Sequence, residues 1–113
     1  MSQRLKHLSD ELKYTRCPRG FPSSLRLLGQ RWSVSYAKNL LQVESAEGLT
    51  HKVKLQVIMD AGLPPDRMAE TLLHELLHMC CPTGKWDNDT EEDIVATLSP
   101  VLFSALRGNK GWW

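Results

Sequence analysis

The chain has 113 residues, 24% of them charged and 42% hydrophobic, which describes one small domain with a modest core. Its 14 basic and 13 acidic side chains nearly cancel to a formal charge of +1, so nucleic acid is not an expected partner. No stretch approaches the roughly 18 apolar residues of a membrane span, and Met1 to Asp10 lacks a signal-peptide apolar segment; a cytoplasmic chain without a membrane partner is expected.

In chain order, residues 1–23 read as a polar leader. Leu5, Leu8 and Leu12 recur at helical spacing before Cys17, Pro18, Arg19, Gly20 and Pro22 break the pattern, which predicts a short helix and then a loop. Basic residues Arg4, Lys6, Lys13, Arg16 and Arg19 lie in this leader, too few for a nucleic-acid surface in a near-neutral chain. From Leu25 the period changes to two. Leu25 and Leu27 alternate, Gly29 and Gln30 interrupt, and Trp32, Val34 and Tyr36 alternate with Arg31, Ser33 and Ser35. A weak strand is expected over Leu40 to Glu44 and a turn at Glu47 and Gly48. The clearest alternation, Val53, Leu55, Val57 and Met59 against Lys52, Lys54 and Gln56, predicts a strand from Lys52 to Met59.

Pro64, Pro65 and Asp66 then open a helix, with proline suited to the first position and the acid favourable to the helix dipole. From Arg67 to Cys80 there is neither Gly nor Pro. Projected at about 100° per residue, Met68, Leu72, Leu73, Leu76, Leu77 and Cys80 form a broad apolar face, and Arg67, Thr71, His74 and His78 a stripe opposite. Pro82 pushes Cys81 out of the helical region, so the helix should end near Cys80, itself read as a small core residue. A second helix is expected to start at Thr90 as N-cap, with Asp93 as capping acid, and to run through Ile94, Val95, Leu98, Val101, Leu102 and Leu106. Pro100 should kink or divide it. Three cysteines, Cys17, Cys80 and Cys81, are an odd set without the look of a disulfide framework, in keeping with a reducing compartment.

His74-Glu75-Leu76-Leu77-His78 is an H-E-x-x-H sequence within the first of these helices. Residues four apart on a helix lie one above the other, so both imidazoles can hold one metal. Glu75, the next residue round, can reach a water on that metal without being a ligand. The pattern thus encodes two zinc ligands and a general base for attack on a carbonyl. A catalytic zinc takes a third protein ligand. Glu91, at the middle of the apolar stripe of the second helix, is the favoured candidate, because an acid on a buried face needs a partner. Glu92 and Cys81 are the alternatives. Asp87, Asp89 and Asp93 are candidate acceptors for a ligand histidine, and His51, Tyr36 and Arg107 are nominees, by residue type, for a donor to a developing oxyanion.

The order L-R-L-L-G-Q-R-W-S-V-S-Y, H-K-V-K-L-Q-V-I-M-D, L-P-P-D-R-M-A-E-T-L-L-H-E-L-L-H and T-E-E-D-I-V-A-T-L, over about residues 24–107, resembles small zincin-like proteins common in phage and prophage genomes. They are similar in layout to minimal gluzincins and to ImmA/IrrE-type metallopeptidases. The resemblance implies an α+β domain in which a small, mostly antiparallel sheet packs on the motif helix and a C-terminal helix. It also implies one Zn2+ per chain on His74, His78 and Glu91, with Glu75 as base, and cleavage of a peptide or protein substrate, in the host cytoplasm if phage-encoded. Residues 1–23 and the tail 108–113, with Trp112 and Trp113, fall outside the match. By the same resemblance substrate would add as a strand to an exposed sheet edge, here expected to be Lys52 to Met59. The alternative is a non-catalytic, zinc-stabilised module that binds a protein partner, since structural zinc contributes strongly to small domains.

Overall fold

The computed structural model describes residues 11–109. Within them the chain is α+β, with a mixed sheet of five strands and three helices. The leader helix expected around Leu5 and Leu8 and the tail tryptophans lie outside the described residues. Leu12, the last of the leader leucines, is buried in the core.

Strands β1 (Tyr14–Thr15), β2 (Ser24–Leu27) and β3 (Gln30–Ala37) come first, and β1 and β2 both pair antiparallel with β3. Trp32, Val34 and Tyr36 of β3 are buried as their alternation requires. The β2–β3 loop is only Leu28 and Gly29, both at positive φ (51° and 78°), the backbone of a tight hairpin turn in which leucine is an unusual first residue.

Helix α1 (Leu40–Glu44) replaces the weak strand expected there. The reason is distant in sequence: Asp60 is buried and its Oδ2 accepts from the Leu41 amide at 2.7 Å, satisfying an orphan donor at the helix start. Strand β4 (Gly48–His51) starts where a turn was expected, and β5 (Gln56–Asp60) pairs with it antiparallel. The expected strand over Lys52 to Met59 is therefore shortened and shifted. Lys52 to Leu55 form a turn in which Leu55 has φ 51° and Val53 is 86% exposed, so the alternation there continues past the strand's true start.

The sheet order is β1-β3-β5-β4, with β3 and β5 parallel and every other pairing antiparallel. This corrects the edge assignment. Strand β5 is interior, paired on both sides, and β4 is the edge. Val57 and Met59 point to one face of the sheet and Ile58 to the other, which is why all three are buried.

Helix α2 (Pro65–Cys80) begins with proline at its first position and ends with Cys81 extended before Pro82, as the sequence requires. It covers one face of the sheet, where Met68 and Met79, flanked by Leu72 and Leu76, pack with Trp32, Val34, Tyr36, Val57 and Met59. On the other face Leu12, Ala37, Leu40 and Ile58 form a smaller cluster. Helix α3 (Asn88–Gly108) packs chiefly on α2. It starts before the expected Thr90. Asp87 is the N-cap, its carboxylate accepting from the Thr90 amide at 2.7 Å. Pro100 does not divide it: the helix is continuous through residue 108, and Ala96, whose carbonyl loses its partner to Pro100, is exposed to water.

Candidate metal centre

Helix α2 brings its histidines to α3 and its glutamate to β4. Residues 71, 74, 75 and 78 share a side of the helix, with Thr71 and Glu75 turned inward and His74 and His78 half-buried between the two helices. On α3, Glu91, Glu92 and Ser99 lie at helical spacing and meet the two histidines.

The Nε2 atoms of both histidines converge on one carboxylate. His74 Nε2 lies 3.3 Å from Glu92 Oε1 and His78 Nε2 lies 2.9 Å from Glu92 Oε2. His74, His78 and Glu92 each offer a ligand-type atom, all within 4.8 Å of one another. Two histidine nitrogens and one carboxylate oxygen, gathered in this way, are a donor set of the kind a zinc ion takes.

The other ring nitrogens are tied back. His78 Nδ1 lies 2.6 Å from Glu91 Oε2, and His74 Nδ1 lies 3.3 Å from the hydroxyl of the buried Ser99. Glu91 also accepts from Lys52 Nζ at 2.5 Å. Burial alone would raise the Glu91 pKa, but the bonds from Lys52 and His78 outweigh it and hold the carboxyl below its ordinary value. An ionised Glu91 only accepts, so the His78 ring donates to it through Nδ1 while Nε2 faces Glu92.

Glu91, expected as the third ligand, meets Lys52 Nζ and His78 Nδ1, and its neighbour Glu92 is the acid that lies beside both Nε2 atoms. A helix advances about 100° per residue, so choosing between adjacent acids needs the true start and tilt of α3. Cys81, the other alternative, donates its thiol to the Leu77 carbonyl at 3.3 Å.

Glu75 is 5% exposed and its Oε1 accepts from the Thr50 hydroxyl at 2.7 Å. Burial pushes its pKa up, against the opposing pull of Thr50, His78 and His74. Gly48 makes room for it: a Cβ there would stand 2.9 Å from Glu75 Cγ and 3.1 Å from Thr71 Cγ2. A cavity of about 520 Å³ opens here, walled by Gly48, Thr50 and Lys52 of the sheet edge, the two histidines and Glu92. A second, of about 300 Å³, continues past Glu75 towards Glu47, Arg67 and Glu70.

The nominated oxyanion donors do not line either cavity. Tyr36 is buried and donates to the Pro22 carbonyl, Arg107 pairs with Asp66, and His51 Nδ1 accepts from the Lys54 amide. Of the aspartates, Asp87 is the helix cap and Asp89 lines the larger cavity. Thr50, Lys52, Gly48 and Ser99 were not expected from sequence, since only the strand pairing and the helix crossing bring them to the motif.

No protein-family model, curated protein or solved structure matches the chain.

Proposed function

We propose that the chain is a zincin-like, zinc-dependent peptide hydrolase in which His74, His78 and Glu92 hold one zinc ion and Glu75 is the general base. The observation that carries this reading is the convergence of two histidine Nε2 atoms and one carboxylate beside a buried glutamate on the same helix. Bound there, zinc would supply Lewis acidity towards the substrate carbonyl and a lowered pKa for water.

The rest of the chemistry falls to the chain. Glu75, a better base than an exposed carboxylate because burial disfavours its charged form, takes a proton from water as the water oxygen bonds to the peptide carbon. It then passes that proton to the leaving nitrogen as the C–N bond breaks, giving a carboxylate and an amine. Thr50 fixes Oε1 of the base, which leaves Oε2 to carry the proton. Glu91 and Ser99 hold the imidazole rings in orientation. The peptide itself would lie along β4, the edge strand that walls the cavity, adding a strand through main-chain hydrogen bonds.

The test is zinc per chain by inductively coupled plasma mass spectrometry on untagged protein, followed by cleavage of a denatured-protein substrate and a peptide library. Near one zinc per chain, with cleavage lost in Glu75→Gln, is expected. A chain that neither carries nor takes up zinc rejects the reading, and cleavage retained by Glu75→Gln rejects Glu75 as the base.

A further inference from the structure

The end of the sheet away from α1 carries two exposed turns. Because β3 and β5 run parallel with Ser33 opposite Gln56, the loop entering β3 and the turn entering β5 emerge at the same end. Each presents an aliphatic side chain almost wholly to water, Leu28 at 88% exposure and Val53 at 86%. Cations flank them. Arg26 and Arg31 are exposed and stand directly opposite each other across β2 and β3, and the exposed Lys54 follows Val53. None of the three makes an ion pair with another described residue. Residues 24–35 and 48–59 contain no acid at all.

These choices oppose local stability. Leu28 sits at φ 51°, where glycine or asparagine rests without strain, and two like charges face each other on adjacent strands. Exposed apolar side chains of this size are ordinary when scattered singly. Two at one end of a sheet, each beside cations without an ion pair among the described residues, form a surface of a definite chemical kind.

We propose that this end of the sheet docks on an anionic lipid bilayer, with Leu28 and Val53 entering the headgroup layer and Arg26, Arg31 and Lys54 meeting lipid phosphates. Protruding tips suit a fluid interface, which needs no preformed pocket, better than they suit a folded protein partner. Aliphatic tips also lack the ring faces on which single-stranded bases stack. The expectation of no membrane partner rested on the absence of a span, and surface contact requires none. The proposal stands apart from the hydrolase reading, although Lys52, beside Val53, reaches Glu91 and so joins this surface to the metal centre.

Co-sedimentation of the full chain with vesicles of phosphatidylcholine, alone or mixed with phosphatidylglycerol, tests it. Binding to the anionic vesicles only, weakened by salt, is expected. Arg26→Gln/Arg31→Gln/Lys54→Gln should lower affinity about fivefold per cation removed. Leu28→Asn/Val53→Ser should lower it about tenfold, and Leu28→Asn alone should raise the thermal midpoint, which separates lost binding from lost folding. No sedimentation at low salt, equal binding to neutral vesicles, or full binding by Leu28→Asn/Val53→Ser would overturn the proposal. So would duplex DNA that competes with the vesicles and binds the Leu28→Asn/Val53→Ser chain unchanged.

Discussion

The two helices that build the candidate metal centre are held in very different ways. Helix α2 lies on the sheet, with Met68 and Met79 in the main core and Thr71 and Glu75 buried against β4. Helix α3 leans chiefly on α2, buries only Val95 and Ser99, and leaves Leu98, Val101 and Leu102 between 37% and 65% exposed. Both histidines and Glu75 therefore ride on a fixed element, and Glu91 and Glu92 on a loosely held one. A metal shared between them would be the strongest bond joining α3 to the rest, and metal binding would double as helix docking.

The largest effect should come from cutting that link. His74→Ala or His78→Ala is expected to reduce zinc from near one per chain to near zero, and Glu92→Gln to do almost the same. Hydrogen exchange should then accelerate along α3 while β3 and β5 stay protected. Equal acceleration in the sheet would show that the two helices are not held separately.

Next in size is Glu75→Gln, which belongs wholly to the well-held helix. It should lower hydrolysis by about 10²–10⁴-fold and leave zinc content unchanged. Its effect on metal-free stability has the opposite sign. A carboxyl whose pKa is raised by burial costs stability when ionised, above the folded pKa, and that cost is relieved as pH falls through it. Removing the charge should therefore raise the neutral-pH thermal midpoint of the chelator-treated protein.

Glu91 sharpens the contrast further, because it acts on α3 without joining the three ligand-type atoms. Glu91→Gln should weaken zinc binding by about 10–100-fold, the usual cost of losing a partner that orients a ligand histidine, measured by competition with a chromophoric chelator. If Glu92→Gln has the smaller effect of the two, the roles of these neighbours are exchanged.

The well-held half was also the legible half. Helix α2 follows from Pro65, an uninterrupted run and Pro82, and the alternation of Trp32, Val34 and Tyr36 marks β3, because these signals are local. Elements fixed from a distance were not legible. Leu40 to Glu44 is helical because Asp60 caps it, and β4 is an edge because β5 crossed over to pair parallel with β3. The start of α3 was ambiguous for a chemical reason: Asp87, Asn88, Asp89 and Thr90 are all good caps, and only the bond made by Asp87 decides.

The smallest effect tests whether surface charge adds to the anchoring of α2. Glu47, just before β4, accepts two bonds from Arg67 near the start of α2, and the Arg67 hydrogen bond holds its carboxyl below the ordinary value. Arg67 is 53% exposed and Glu47 31%, so screening by water limits the pair to about 0–1 kcal/mol. A depressed folded pKa contributes stability above the unfolded pKa and loses it as pH falls through the folded one, so Glu47→Gln should slightly flatten the acid limb of the stability curve. The more sheltered Lys52–Glu91 pair, at 24% and 13% exposure, ties the β4–β5 turn to α3. Lys52→Met should therefore lower the stability of α3 and flatten its acid and salt dependence more than Glu47→Gln changes anything at α2, because α2 already has the core beneath it and α3 does not.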